Sequence, residues 1–195
     1  MKEKFITAVR LFDKANGNDP NTESYKGKDY PKELLYAMRM TDKLHQFEPN
    51  ASEAVQLAVR CQHICRWEIP RDSYEMNRNG YLIWRRELKK FHAIKASEIL
   101  YAVGYDEALI NKVSFLLEKK QLKRNSDTQL LEDIICLVFL EFYFENFSEK
   151  YSEQKLIDIV KKTWMKMSEK GRKSALNLNY SKKPKEIILK AISFV

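Results

Sequence analysis

The sequence predicts an all-α fold, and three observations carry that prediction. Apolar residues recur at spacings of three and four along almost the whole chain, the repeat of helices with one face turned to a core. Alternating apolar and polar runs, the mark of strands, are nearly absent. Helix start and stop signals fall at short intervals and cut the pattern into about eight helices with short connections. The expectation is a single-domain bundle, with a core over residues 1–149 and a basic helical region over residues 150–195.

A first helix is expected over residues 2–15. The turn-rich stretch Asn16-Gly17-Asn18-Asp19-Pro20-Asn21 follows, then a loop through Gly27 to Pro31. Pro31 has the fixed φ of a first helical position, and a second helix runs from it to about Phe47, with Leu34, Leu35, Met38 and Leu44 apolar. Asn50 follows Pro49, and Glu53 lies three residues on, as in a capping box, so a third helix is expected to start there. Ala51, Ala54, Val55, Ala58 and Cys65 mark its buried face. It should end near Trp67, because Pro70 disfavours helical geometry at Ile69. The polar loop Arg71 to Asn79 leads into a long helix from about Gly80 to Val103, with Gly104 as its C-terminal cap. Asp106 caps the next helix, which reaches about Lys120, and Asp127 caps another ending near Phe147. Ser152 starts the basic helix, which runs to Ser168. Gly171 breaks it, a short helix follows, and Pro184 starts the last one. There is no internal repeat and no low-complexity tract.

With 195 residues, 44% of them hydrophobic, the chain is long enough to fold without a metal or disulfide staple. Aromatics at 12% argue against disorder. The cysteines, Cys61, Cys65 and Cys136, are odd in number and form no CxxC pair, which argues against a disulfide framework or a zinc ribbon. They fit small buried hydrophobes. The N-terminus lacks the apolar run of a signal peptide, and the most apolar stretch, Ile134 to Phe144, is interrupted by Glu141 and too short to span a bilayer. A cytoplasmic location with no membrane association is expected. The charge is unevenly placed. Residues 150–195 hold twelve Lys/Arg and four Asp/Glu, a net of +8, which is the whole excess of the chain. Such a block attracts phosphate-rich partners, RNA among them, or else forms solvated helix faces.

There are three histidines, so each can be weighed. His45 ends a surface helix near Asp42 and Gln46 and reads as solvated. His63 sits in Arg60-Cys61-Gln62-His63-Ile64-Cys65-Arg66-Trp67. Gln62 and Arg66 are four apart and share a helix face, so this segment gathers donors, an acceptor and a titratable group. His92 shares a stripe with Leu88, Ala96 and Ile99 and faces the core, where an imidazole needs a partner: another histidine, a carboxylate or a metal. Glu132 and Asp133 enter an almost continuously apolar helix, and ionised carboxylates are rarely buried there without a cation or hydrogen-bond donors. Two imidazoles with one or two carboxylates suit a divalent metal, and they equally suit one another and Arg66 without one. Arg71, Arg78, Arg85 and Arg86 bracket the loop after the third helix, interleaved with Tyr74, Tyr81 and Trp84. Arginine forks bind phosphate bidentately and aromatic rings stack on bases; the same residues also suit a structural network with carboxylates.

These segments together carry a resemblance. Gln62-His63-Ile64 with Arg66-Trp67, Ile69-Pro70-Arg71, Gly80-Tyr81-Leu82 with Trp84-Arg85, Phe91-His92-Ala93, and Leu131-Glu132-Asp133 with Cys136-Leu137-Val138-Phe139-Leu140-Glu141 resemble the domain of unknown function 4202 family. Phe12-Asp13, Ala15-Asn16 and Asp19-Pro20 extend the match over nearly the whole chain. More distantly, the helix order resembles the HD phosphohydrolase superfamily, in which histidines and aspartates hold a metal that activates water for phosphoester hydrolysis. That resemblance places Gln62-His63 where His-Asp stands, Phe91-His92-Ala93 at the later histidine and Asp133 at the final aspartate. No histidine lies near Arg39, where the first ligand would be, so the usual metal site is rebuilt or lost.

The resulting expectation is an HD-like helical protein that binds a nucleotide or another phosphorylated ligand and acts as a phosphohydrolase. His63, His92 and Asp133 would be catalytic or hold a divalent metal. Gln62, Arg66, Arg71, Trp84, Arg85 and Arg86 would bind the ligand. The alternative is a non-catalytic RNA-binding protein, for tRNA among others, or an adaptor, working through the basic region.

Overall fold

The computed structural model describes residues 2–193. Among them are ten α-helices and one two-stranded hairpin, so the helical class holds. The chain divides into two compact units, residues 1–120 and residues 121–195.

The first unit opens with α1 (Lys2–Asn16), the hairpin strands β1 (Thr22–Tyr25) and β2 (Lys28–Pro31), and α2 (Lys32–Phe47). The hairpin stands where the sequence predicts a loop. Lys26 and Gly27 both take positive φ, 51° and 75°, the geometry of a two-residue turn whose twist matches paired strands. Thr22 pairs with Pro31 and Tyr25 with Lys28. The strands are too short and too exposed to carry an apolar alternation, which is why the sequence hides them. Arg39 of α2 secures the hairpin: its guanidinium bonds Glu23 at 2.5 Å and lies 4.8 Å over the Tyr25 ring. Asp19 does what Pro31 cannot. Its Oδ2 accepts the Glu33 N–H at 3.0 Å, satisfying a free donor in the first turn of α2.

The third helix, α3 (Glu53–Arg60), is shorter than expected. Its N-cap is Ser52, whose hydroxyl accepts from the Val55 N–H, rather than Asn50. It stops at Arg60 because the chain turns through residues 61–65, and Cys65 lies in the left-handed region at φ 51°. The Asn16 side chain holds that turn by accepting the Cys65 N–H at 3.0 Å. The long helix α4 (Arg78–Val103) and α5 (Glu107–Leu117) then pack as a hairpin. Asn77 caps α4 by accepting the Gly80 N–H. A Cβ at Gly80 would meet the Glu75 carbonyl at 2.1 Å, so only glycine fits. Gly104 ends α4 in the left-handed region at φ 85°, and Asp106 caps α5, both as expected. Phe12, Leu35, Met40, Leu44, Leu57, Ile64, Leu88 and Leu100 are fully buried in this unit.

The second unit holds α6 (Ser126–Val138), α7 (Phe144–Ser148), α8 (Glu153–Lys166), α9 (Glu169–Leu176) and α10 (Lys182–Ile192). Asn125, not Asp127, caps α6. The single helix expected to reach Phe147 is interrupted by a π turn over Phe139–Tyr143, which separates α6 from α7. Gly171 sits inside α9, and Pro184 falls in the first turn of α10, where its missing N–H costs nothing. The basic helices α8 and α10 are amphipathic, and each buries one stripe: Leu156, Val160 and Trp164 on α8, and Ile187, Ile188 and Ala191 on α10. No helix among the described residues is long and apolar enough to cross a membrane.

Candidate functional site

In the first unit, α2 and the turn after α3 bring a carboxylate, an imidazole and a guanidinium together. His63 Nδ1 lies 3.2 Å from Oε2 of Glu33, and Arg66 Nη1 lies 3.5 Å from Oε1 of the same carboxylate. Tyr36, one turn along α2, stacks flat on the His63 ring at a centroid distance of 4.2 Å. The Tyr36 hydroxyl donates to Gln62 Oε1 at 3.0 Å, which ties Gln62 to that ring. His92 of α4 adjoins it, its ring centroid 5.8 Å from that of His63.

The electrostatics of the group follow from burial. Glu33 is buried, and desolvation raises its pKa against the pull of Arg66, Lys32 and His92. Desolvation pushes the His63 pKa well below its usual value, and Arg66 and Arg85 add to the effect. His92, 3% exposed, is held near pH 3, chiefly by burial and then by His63. Both imidazoles are therefore neutral at pH 7. Glu33 takes a guanidinium and an imidazole at once, which keeps it the acceptor, so His63 Nδ1 carries the proton and Nε2 has the lone pair. The His92 Nδ1–H donates to the Ile64 carbonyl at 2.8 Å, fixing the same tautomer there. Among the described residues His92 Nε2 is buried with no hydrogen-bond partner, and an orphan of this kind costs ~1–3 kcal/mol.

The cationic residues divide by what they hold. Arg66 lies 5.2 Å over the Trp84 ring. Trp84 is buried, its indole N–H given to the Ile69 carbonyl. Arg71 lies 6.0 Å over the same ring, but its guanidinium caps the backbone carbonyls of Tyr74, Glu75 and Asn77. Arg71 is thus committed to shaping the loop before α4. Arg86 is exposed and bonds Glu87. Arg85 is half-buried and close enough to His63 to depress its pKa.

Asp133 is in the second unit and is 2% exposed. Its Oδ1 accepts from the Ser168 N–H at 2.8 Å and from Gln129 Nε2 at 3.1 Å, and its Oδ2 accepts from the Ser168 hydroxyl at 2.5 Å. Ser168 in turn accepts the Gly171 N–H and caps α9. Both carboxylate oxygens are therefore taken by the start of α9. The neighbouring Glu132 is buried 3.6 Å from Lys166 Nζ. Among the described residues, no group of three or more His, Cys, Asp or Glu is placed to hold a metal ion. Of the donors expected of a metal set, both oxygens of Asp133 have protein partners, and each histidine has Nδ1 engaged while Nε2 keeps its lone pair.

Sequence reasoning missed Glu33 and Tyr36. The signal was present: Glu33 heads the stripe Ala37, Met40 and Leu44 at spacings of four, seven and eleven, and a carboxylate on a buried stripe demands a cation or donor.

A family model described as a domain of unknown function (DUF4202) matches residues 6–188. No curated protein and no solved structure matches the chain.

Proposed function

The chain belongs to the DUF4202 family, and we propose that it binds a phosphorylated small molecule, with nucleotides the favoured class, beside the Glu33–His63 pair and hydrolyses its phosphoester. One observation carries this reading: a neutral imidazole is oriented by a buried carboxylate through Nδ1, with Arg66 and Arg85 alongside. A carboxylate behind an imidazole fixes the tautomer and stabilises the imidazolium that forms when Nε2 takes a proton. Guanidinium groups neutralise phosphate oxygens, and an aromatic ring near them suits a base.

In this reading His63 Nε2 removes a proton from water as the water oxygen bonds phosphorus. The ester P–O bond breaks, and the leaving oxygen takes a proton from the medium or from the imidazolium. Arg66 and Arg85 bear the charge of the transferring group. His63 and His92 adjoin, their ring centroids 5.8 Å apart, and Glu33 is the carboxylate on His63. Among the described residues no group of three or more His, Cys, Asp or Glu is placed to hold a metal ion, and no step is routed through a metal. The test is metal analysis of the purified protein with turnover and thermal-shift measurements against a panel of nucleotides. Ligand-dependent stabilisation that disappears in Arg85→Ala supports the reading; absence of both turnover and stabilisation across the panel overturns it.

A second reading, non-catalytic RNA binding, is supported by the basic region. Lys162, Lys182 and Lys185 are exposed, and none has a hydrogen bond or ion pair among the described residues. Lys183 and Lys190, by contrast, are engaged with the Ser148 carbonyl and Glu153.

A further inference from the structure

Where α4 turns into α5, the first unit has a cavity of about 420 Å³ lined by Ser97, Glu98, Tyr101, Tyr105, Glu107 and Ile110. Its volume falls within the range of about 300–1,000 Å³ typical of small-ligand sites. It shares no lining residue with the group around Glu33 and His63. What its walls offer can be read side chain by side chain. The Ser97 hydroxyl is taken by the Ala93 carbonyl at 2.7 Å and the Ser114 hydroxyl at 2.9 Å. The Tyr105 hydroxyl donates to Glu53 at 2.5 Å, and Lys4, bonded to the Gly104 carbonyl, lies 5.9 Å over the Tyr105 ring. Three polar side chains remain. Glu98, Tyr101 and Glu107 have no side-chain hydrogen bond or ion pair among the described residues, and Glu98 acts on Lys95 only through space. Tyr101 is 79% exposed, so its ring stands largely in water while also lining the cavity.

We propose that this cavity binds a small organic cation, an ammonium group on an apolar body, with the charge toward Glu98 and Glu107 and the body against Tyr101 and Ile110. Charge selects the ligand first. From Ser97 to Asn111 the sequence has Glu98, Asp106 and Glu107 and no basic residue, on a chain of net charge +8. Two uncommitted carboxylates repel an anion and offer a cation acceptors. The aromatic wall selects next. The face of a tyrosine ring is negative and attracts an organic cation, and its breadth covers apolar surface. Lys4 already stands over Tyr105, which leaves Tyr101 as the ring at hand. A bare metal ion would make no use of Tyr101 or Ile110, whereas an ammonium on an apolar body uses all four side chains. The proposal does not depend on the phosphoester reading, whose ligand has the opposite charge and other residues.

The experiment titrates phenethylammonium, phenethyl alcohol and hydrocinnamate into the full chain and follows chemical shifts. The three probes share a benzene ring on a short chain and differ in charge. The same titrations are run on Tyr101→Ala and on the double variant Glu98→Gln, Glu107→Gln. All three side chains are exposed, so these variants should fold as the parent chain does. Phenethylammonium is expected to bind the parent chain at least about tenfold more tightly than the alcohol, the combined scale of a ring–cation contact and exposed ion pairs. Hydrocinnamate should bind more weakly than the alcohol. The double variant should bind the ammonium and the alcohol alike, and Tyr101→Ala should weaken the ammonium severalfold. If the ammonium and the alcohol bind the parent chain alike, the cavity does not select charge and the proposal is wrong. A preference that persists in the double variant places the cation elsewhere and also overturns it. So does the absence of binding by all three probes. Each of these outcomes leaves the phosphate reading untouched, because that reading rests on Glu33, His63, Arg66 and Arg85.

Discussion

Nδ1 of His63 lies 3.2 Å from Oε2 of Glu33, and this pairing joins the turn after α3 to the first turn of α2. It sets the imidazole tautomer and places a negative charge inside a site that is otherwise cationic. Those two effects act oppositely on ligand binding and on chemistry. Glu33→Gln keeps the side-chain volume and removes the charge. Phosphate affinity should rise severalfold, because an anion no longer faces an anion. Turnover should fall by ~10²–10⁴, the scale seen when a carboxylate behind a catalytic imidazole is neutralised. Steady-state kinetics would show both as a lower KM with a lower kcat. A variant that loses affinity and rate together would give Glu33 a purely structural role.

The pH dependence of stability has a sign set by the same group. His63 and His92 have folded pKa values below the unfolded one, near 6.5, with His92 at about 3. The unfolded chain therefore binds more protons than the folded chain between those limits, and stability falls as pH drops through that range. Glu33 acts the other way. Its folded pKa is raised above 4.5, so its contribution is present below that value and is lost as pH rises through the folded pKa. The histidines dominate from pH 6.5 down to about 4.5, where a loss on the order of a few kcal/mol is expected. Chemical denaturation at pH 7 and pH 5 measures it. His92→Asn should flatten the slope in that window, and an unchanged slope would show that His92 is not the group responsible.

Arg71 and Arg85 look alike in the sequence, and the structure assigns them different work. The Arg71 guanidinium caps three backbone carbonyls in the loop before α4, whereas Arg85 is half-buried near His63. Arg71→Ala should lower stability by about 1–3 kcal/mol by leaving those carbonyls without a charged donor. Arg85→Ala should leave the melting temperature nearly unchanged and weaken phosphate binding about tenfold or more. Thermal unfolding and calorimetry on the two variants separate the roles.

The helical class, most helix boundaries and the caps at Gly104 and Asp106 were legible, because they follow from local periodicity and backbone chemistry. Elements that depend on distant partners were not. The β1–β2 hairpin is held by Arg39 of α2, and α3 stops at Arg60 because Asn16 of α1 fixes the turn that follows. The site was half legible for the same reason. His63, His92 and Arg66 stood out by residue type, and His63 and His92 do adjoin. Their carboxylate, Glu33, comes from a helix thirty residues earlier, and no local pattern pairs it with His63. Asp133 drew attention as a buried carboxylate, and its burial proves to be bound up with capping α9.

That capping role gives a prediction for the second unit. A Cβ at Gly171 would stand 2.7 Å from Asp133 Oδ1 and 2.8 Å from its Cγ. Asp133 cannot retreat without giving up Ser168, so Gly171→Ala should cost about 1–3 kcal/mol, although alanine is the better helix former. Asp133→Asn should cost a similar amount, because an amide nitrogen cannot accept from the Ser168 hydroxyl. The double variant should cost less than the sum, since both changes act at one point of packing. Additive losses would show that the two positions are independent.

The basic helices supply the last prediction, which separates charge from site. Lys162, Lys182 and Lys185 are exposed and have no ion pair among the described residues, so changing them to glutamine should cost little stability. If the chain binds RNA through this region, the triple variant should weaken that binding and shallow its salt dependence, by about one unit of log–log slope for each phosphate the lysines no longer neutralise. His63→Ala should leave that binding intact. Under the phosphate-ester reading the pattern reverses: the triple variant binds glycerol 1-phosphate as the parent chain does, and His63→Ala loses turnover. Titrations of a short single-stranded RNA at several salt concentrations, beside calorimetry with glycerol 1-phosphate, give the two rankings directly. RNA binding that fails in His63→Ala and survives in the triple variant would rule out the basic helices as the RNA surface.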